Sequence, residues 1–274
     1  MTLSHADFTF VTSLVRQRSA IDLQPGKEYL IESRLAPVAR EHGHGDVPAL
    51  VHALRRGNEP LSERVVDALT TNETSWFRDT FPFNAFGKTL LPDVASRAPG
   101  RQVTVWSAAC SSGQEAYSLA MLILEWLPHN PGFSARIVGT DISQSMVERA
   151  RAGRYSQLEV NRGLPARYLV EHFDQVGREW VLRDHVRALT RFDRGNLARP
   201  PNGLPMCDIV FLRNVLIYFD LATKHAVLNN VRRALRAGGY LVLGGAESAL
   251  ALDAGFQRME LDRAVVFQYQ VGAA

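Results

Sequence analysis

The stretch Val103-Thr-Val-Trp-Ser-Ala-Ala-Cys-Ser-Ser-Gly-Gln-Glu-Ala-Tyr-Ser-Leu-Ala-Met-Leu-Ile-Leu-Glu-Trp126 reads as a buried strand, a turn of small residues and an amphipathic helix, and leaves few folds open. Val103 to Trp106 is short, apolar and β-branched, the pattern of a parallel strand covered on both faces. From Ser107 to Gly113 no side chain is larger than cysteine. The backbone N–H groups there can approach a ligand closely, and the following helix aims its positive end at the same place. Leu119, Leu122, Ile123 and Trp126 recur at helical spacing, which gives that helix a face to lay on a sheet. Gly113 is the only glycine of the turn, so the dehydrogenase fingerprint G-x-G-x-x-G is absent and a pyrophosphate cofactor is disfavoured. From this segment alone, a nucleotide-cofactor turn and an ordinary strand-turn-helix with a tight crossing stay equally open.

A chain of 274 residues can bury one large core, or one medium core with a small satellite domain. Its 31 basic and 28 acidic residues leave a formal charge of +3, too balanced by itself for a nucleic-acid binder. Cys110 and Cys207 are the only cysteines and both fall in segments expected to be buried, so no disulfide framework or thiolate metal site is implied and a reducing cytosol fits. His42, His44 and His52 have neither a nearby cysteine nor a fixed helical spacing, and no metal is expected. Asp7, Arg16 and Arg18 interrupt the N-terminus and no apolar run reaches the length of a membrane span, so a soluble, cytoplasmic protein without membrane insertion is expected.

Up to about residue 92 the pattern is helical throughout. Phe8, Val11, Leu14 and Val15 form one stripe; Tyr29, Leu30, Leu35 and Val38 form a second, which opens near Pro25-Gly26 and which Pro37 should kink or end. Val47 to Leu54 and Leu61 to Leu69 supply two more helices across Gly57-Asn58-Glu59-Pro60. Phe81 to Leu91 reads as a last helix or helical linker, and Pro92 to Gly100 as turns. From Val103 onward strands and helices alternate, which predicts a parallel sheet with helices on both faces. Its strands are Val103–Trp106, Ala135–Asp141, Asp208–Arg213 and Tyr240–Gly244, with a helix from about Ala222 to Arg236. Phe256–Leu261 and Val265–Tyr269, joined by Asp262-Arg-Ala, resemble a terminal antiparallel hairpin. Between Gly153 and Thr190 the pattern weakens; Trp180-Val-Leu-Arg with Val186-Arg-Ala-Leu suggests a small inserted hairpin beside a short helix.

In an open α/β sheet the ligand sits beyond the carboxyl ends of the strands at the switch point, where Ser107 to Gly113, Asp141 and Arg213-Asn214 all fall. Asp141, ending the second strand, is placed to accept hydrogen bonds from ribose hydroxyls; the alternative is a helix-capping role. Glu115 lies in the first turn of its helix, where a ligand contact and plain dipole complementarity are equally open.

Asn72-x-Thr74-x-x-x-Arg78, Trp106 to Met121, Gly139-Thr-Asp-Ile-Ser143, Asn196-Leu197 and Phe211-Leu-Arg-Asn-Val-Leu-Ile-Tyr-Phe-Asp220 together resemble the CheR family of chemotaxis receptor methyltransferases, in order and over nearly the whole chain. The resemblance implies a Rossmann-like α/β sheet of the class I S-adenosylmethionine methyltransferase type, with a small antiparallel β insertion at 154–190, behind an all-α N-terminal domain. It implies a receptor-docking domain over 1–78, a helical linker over 79–100 and a methyltransferase domain over 101–274. S-adenosylmethionine would be the methyl donor, S-adenosylhomocysteine the product, and glutamates on the cytoplasmic coiled-coil helices of chemoreceptors the acceptors, with the protein acting as a monomer and binding no nucleic acid. Carried over position by position, it puts Asn72, Thr74 and Arg78 against the donor and catalytic centre. Glu115 and Asp141 fall on the donor, Asn196-Leu197 and Arg213-Asn214 on the pocket wall, and Tyr218 facing the methyl group. The family more often has Glu-Glu-Pro where this chain has Gln114-Glu115-Ala116, and the binding role is assigned to Glu115. The second helix becomes the docking element, with Lys27, Arg34 and Arg40 as its cations, although residues 1–70 carry eight basic side chains against nine acids and are not basic overall. The alternatives are a methyltransferase for another protein or a small carboxylic acid, or a catalytically silent S-adenosylmethionine-binding signalling module.

Overall fold

The structure, a computed structural model, describes residues 3–249, 255–261 and 263–270. The chain folds as two compact units. The first comprises the chain up to Thr71 together with Tyr218–Thr223; the second comprises Asn72–Ile217 and the chain from Lys224 onward.

The first unit is built on four helices, α1 (His5–Ser19), α2 (Glu28–Glu41), α3 (Val47–Arg55) and α4 (Glu59–Leu69). Three begin on side-chain caps: Ser4 accepts from the Asp7 N–H, Asp46 from Ala49 and Asn58 from Leu61, each satisfying an orphan donor of the first turn. Their apolar stripes meet in one core that includes Val11, Val15, Ile31, Leu35, Leu50, Val51, Leu61 and Val65. Pro37 does not end α2, which runs on to Glu41. The lost backbone bond and ring clash are offset by packing, because Leu35 and Val38 on either side are fully buried.

The second unit opens with α5 (Phe81–Ala85), a π-helical turn at Phe86–Leu90 and α6 (Leu91–Ser96). Helical backbone thus continues five residues past Leu91, through a stretch whose Pro92 suggests turns. Pro92 stands in the first turn of α6, where its missing N–H leaves no gap. Phe83, Phe86, Leu90, Leu91 and Val94 from this run are buried in the same core as the sheet.

The sheet follows as β1 (Gln102–Ala108), α7 (Gln114–Trp126), β2 (Ser134–Asp141), α8 (Gln144–Ala152), then an insertion, β6 (Thr190–Arg194), β7 (Cys207–Leu212), α12 (Leu221–Ala234) and β8 (Leu235–Leu243). β9 (Phe256–Leu261) and β10 (Ala264–Tyr269) close the sheet as an antiparallel pair; Asp262, in their expected connection, lies outside the described residues. Strand order is β6-β2-β1-β7-β8-β10-β9, parallel from β6 to β8. β1 and β7 are buried on both faces over nearly their whole length, as their continuous apolar runs require. α12 stops at Ala234 and β8 starts at Leu235, five residues ahead of the expected strand, because a register irregularity against β7 lets the Gly238-Gly239 stretch join the strand.

The insertion contains β3 (Arg154–Ser156), α9 (Gln157–Asn161), α10 (Ala166–His172), β4 (Phe173–Val176), β5 (Glu179–Leu182) and α11 (Asp184–Arg187). Its three strands form a separate antiparallel sheet in the order β3-β5-β4. The expected pairing of the 180 and 186 segments is corrected. β5 pairs with β4 across Gly177-Arg178, and Val186 belongs to α11, where its side chain is fully buried. Gly177, at φ +63°, supplies the left-handed turn that this hairpin needs.

Candidate donor-binding site

The consecutive strands β1, β2 and β6 extend to one side and β7 returns on the other side of β1, so the topological switch lies between β1 and β7. A crevice at such a switch collects whatever the strand ends carry. Three chain segments meet there: the residues after β1, the end of β2 with the chain after β6, and the residues after β7 joined by 72–80.

The turn after β1 is held in an unusual backbone. Ala109 and Ser111 have φ of 60° and 49°, and Gly113 has 94°. Gly113 is required, since a Cβ there would also come within 3.1 Å of the Tyr117 ring and 3.0 Å of the Ala150 side chain. Ser111 is the hub of the turn. Its N–H donates to Asp141 Oδ2 at 2.7 Å and its hydroxyl donates to the Asn72 carbonyl at 2.7 Å. Asp141 also accepts the Ser143 N–H at 2.9 Å on Oδ1, and its carbonyl accepts the Gly195 N–H. Asp141 is therefore not the partly open strand end that its position suggests; it is 6% exposed and ties β1, β2 and the chain after β6 together. The helix-capping role belongs to Ser143, which accepts the Met146 N–H at the start of α8.

Asn196 folds the next turn by accepting the Ala198 N–H on its own side chain, and the Leu197 carbonyl accepts from buried Asn230. These two residues thus sit directly after the Gly195 contact with Asp141. Thr74 is half-buried. Arg78 donates to the Glu73 carbonyl at 3.1 Å and is half-buried.

On the other side of the turn lies a buried ion network. Glu115 accepts the Ser107 hydroxyl at 2.8 Å on one oxygen and Arg213 at 3.0 Å on the other. The Arg213 side chain is 1% exposed, and its second arm donates to both the Arg78 carbonyl and the Asp79 carboxylate, each at 2.7 Å. Its guanidinium also lies 5.4 Å from the centre of the Phe83 ring. So Arg213 is a strut between α7 and the 78–79 backbone. Gln114, its neighbour's alternative, is buried and accepts the Ser112 hydroxyl, which leaves Glu115 as the acidic member facing the network.

Backbone strain concentrates here. Among the described residues eight non-glycine residues have positive φ, and six of them, Phe77, Asp79, Thr80, Ala109, Ser111 and Asn214, belong to these segments. Such conformations persist only where the surroundings over-determine them, and they cluster at functional sites. Phe77 is pinned by its N–H to Ser118 and by stacking on Tyr168 with ring centres 5.0 Å apart; Trp76 before it is buried and donates its N–H to the Arg162 carbonyl.

Acidic and basic side chains alternate around the site, with Arg194 beside Asp141 donating to the Ile142 carbonyl. Glu115, Asp141 and Asp79 stand against Arg213 and Arg78. The Cys110 thiol responds to the same field: burial first, then the Asp141 and Glu115 charges, push it well above its ordinary value, so it stays protonated and is no nucleophile. Ser107, Ser111 and Asp79 were not singled out from sequence; only the small size of the two serines within the turn carried any signal. Tyr218 ends a 3₁₀ turn at Leu216–Tyr218, and its carbonyl accepts the Asp22 N–H within the helical unit.

A sheet of this order, with an acid at the end of β2 and a small-residue turn after β1, defines an S-adenosylmethionine-dependent methyltransferase. The model of the CheR methyltransferase S-adenosylmethionine-binding domain matches residues 72–265, and that of the CheR methyltransferase all-α domain matches residues 6–70. The chain belongs to the CheR methyltransferase family, and its cofactor is S-adenosylmethionine. Chemotaxis protein methyltransferase 1 of Pseudomonas aeruginosa is 37% identical over 272 residues, 98% of this chain and 99% of that protein. The chemotaxis protein methyltransferase of Vibrio parahaemolyticus is 38% identical over 272 residues, 98% of each. Among solved structures, magnesium protoporphyrin IX methyltransferase of Synechocystis with bound donor aligns over 90% of this chain and 97% of that one, at 15% identity and a TM-score of 0.40.

Proposed function

We propose that the protein methylates glutamate side chains on the cytoplasmic coiled-coil helices of chemoreceptors, forming glutamyl methyl esters for sensory adaptation. The supporting observation is the match of both CheR domains in sequence order, an all-α domain directly followed by the donor-binding domain. A small-molecule methyltransferase has no need of such a helical partner domain.

When bound, S-adenosylmethionine supplies a methyl group on positively charged sulfur. The acceptor needs no general base, because a glutamate is already ionised at neutral pH. The residues of this chain therefore bind, align and exclude water. Asp141 holds the ribose hydroxyls, with Asn72, Thr74, Asn196 and Leu197 beside it; Glu115 and Asn214 hold the polar end of the donor, and Arg213 fixes Glu115. Arg78 and Tyr218 are the catalytic candidates, orienting an oxygen of the acceptor with no change of their own protonation. Arg78→Ala and Tyr218→Phe are each expected to lower turnover by tenfold or more while donor affinity changes less than threefold, as interactions made only in the transition state require. Single-turnover methylation beside calorimetric donor binding reads this split, and full turnover by Tyr218→Phe removes its hydroxyl from the chemistry.

Docking falls to α2 and the turn before it. Lys27 and Arg40 are exposed. Arg34 is committed elsewhere, since its guanidinium donates to the Leu69 and Thr70 carbonyls, each at 2.9 Å, and to the Thr71 hydroxyl. It caps the carboxyl end of α4 as a helix-terminal cation. Lys27 and Arg40 thus carry the steering charge toward an acidic receptor helix, and Arg34 keeps the bundle in shape. The test is incorporation of base-labile methyl into receptor cytoplasmic fragments by the wild type and by Lys27→Glu/Arg40→Glu. Incorporation is expected to fall at least fivefold in the variant and to fall with rising salt in the wild type, with donor affinity unchanged in both. Equal incorporation ends the docking assignment, and no incorporation by the wild type ends the receptor reading.

A further inference from the structure

After β7 the backbone turns through Asn214 at φ 58°, and three successive N–H groups then point to one place. That place is filled by a carboxylate from elsewhere in the chain. Glu247 Oε2 accepts from Asn214 at 2.7 Å and from Gly244 at 2.8 Å; Oε1 accepts from Val215 at 2.9 Å and Leu216 at 2.7 Å. Four backbone donors on one carboxylate make an anion nest with a built-in occupant. The occupant also caps the 3₁₀ turn Leu216–Tyr218, whose first N–H it takes.

The strand after which Glu247 comes makes room for it. Gly244 follows β8 directly, and a Cβ there would lie 2.7 Å from both Asn214 Nδ2 and Glu247 Oε2. Only a residue without a side chain lets the end of β8 approach the turn after β7 this closely. The Gly244 carbonyl accepts the Glu247 N–H at 2.9 Å, so the loop bends back to present its carboxylate.

We infer that Glu247 is a positioning residue of the methyltransferase site: its carboxylate neutralises the amide nest of Asn214–Leu216 and sets the pocket wall on which Asn214 stands. The inference rests on the placement of Asn214 against the donor proposed above, and is independent of which acceptor is methylated. An αL asparagine that opens a run of three converging donors is a conformation without internal support. Asparagine tolerates the left-handed region better than most residues, but the converging N–H dipoles repel one another. Removing the anion leaves four partly buried donors without their partner and frees the turn to relax, and Asn214 moves with it.

Glu247→Gln keeps size and shape but offers one oxygen where two are used, and turns an NH₂ group toward backbone N–H donors. Calorimetry with S-adenosylmethionine and with S-adenosylhomocysteine is the readout, at a temperature well below the variant's own melting point. Donor affinity is expected to fall at least fivefold, and amide exchange at 214–216 to rise at least tenfold relative to the strands of the sheet. A lowered melting temperature with unchanged donor affinity would mean a structural role only and overturns the inference. Gly244→Ala is the second variant, should Glu247→Gln not fold. Its methyl group crowds the carboxylate and Asn214 together while every charge is retained, and a loss of donor affinity at least as large is expected. Unchanged affinity in Gly244→Ala, with exchange at 214–216 raised, equally overturns it. Because the donor alone is titrated, a wild type that binds S-adenosylmethionine but methylates no receptor fragment sinks the acceptor assignment and leaves this measurement standing.

Discussion

Arg213→Ala is expected to abolish methyl transfer and to lower the melting temperature together. The side chain is almost wholly buried between Glu115 and Asp79, and also holds the Arg78 carbonyl. Deleting Arg213 leaves the nearly buried Glu115 carboxylate without its cation, an effect on the order of 3–5 kcal/mol, while half-exposed Asp79 is taken up by water. For a domain of this size that corresponds to a fall of about 10 °C in melting temperature. Activity goes with it, because the strut is the connection between α7, which carries Glu115, and the strained 77–80 backbone, which carries Arg78. Arg213→Lys separates charge from geometry. A lysine restores the cation but cannot fork to Glu115 and to the 78–79 pair at once, so it should recover part of the stability and little of the turnover. Full recovery of both by lysine would show that the fork has no role. Thermal unfolding and initial-rate methylation on the same preparations decide it.

The second large effect is expected at Asp141. Asp141→Ala should weaken S-adenosylmethionine binding by at least tenfold, or about 1.4 kcal/mol. Two losses combine. The ribose acceptor disappears, and so does the anchor of the Ser111 N–H, whose turn sits at φ 49°. Asp141→Asn is the informative companion. Both carboxylate oxygens accept backbone N–H groups, from Ser111 and Ser143. An amide nitrogen at either position would face a donor, so asparagine should bind nearly as poorly as alanine despite its size. Donor binding by calorimetry measures this, with circular dichroism to verify the fold. Wild-type affinity in the asparagine variant would remove the charge of Asp141 from the site.

Most of the sheet was legible because β1, β7 and β8 are largely apolar runs and the helices hold a 3.6-residue period, and Val103–Trp126 alone implied strand, turn and helix in the right places; β6, Thr-Arg-Phe-Asp-Arg with only Phe192 buried, was not among the expected strands. The antiparallel insertion was expected, but the pairing inside it was misjudged for the opposite reason. β4 and β5 are four residues each, too short for periodicity, and the informative residue was Gly177 between them. At the site, position along the chain identified which residues lie at strand ends, yet not what they bond. Arg213 reaches Glu115 across 98 residues and Asp79 across 134, and no local pattern encodes such pairs. Glu247 was invisible for the same reason: in sequence it is one more polar residue after a strand, and its four donors come from backbone that any residue supplies. Arg34 and Lys27 were both expected as docking cations and differ because Arg34 caps the end of α4.

The first unit is not one continuous piece of chain, since Tyr218–Thr223 completes it, with the Asp22 N–H on the Tyr218 carbonyl and Arg16 paired to Asp220. On the ribosome this imposes a wait. At a synthesis rate of about 5–20 residues per second, the roughly 150 residues between the end of α4 and its last segment take on the order of 10–30 s to emerge. Over that interval the four helices exist as a bundle lacking its final strip, long after their own local contacts have had time to form. The order of manufacture thus makes the helical unit the first to start and among the last to finish, and a nascent chain stalled before residue 218 holds an incomplete domain at its exposed end.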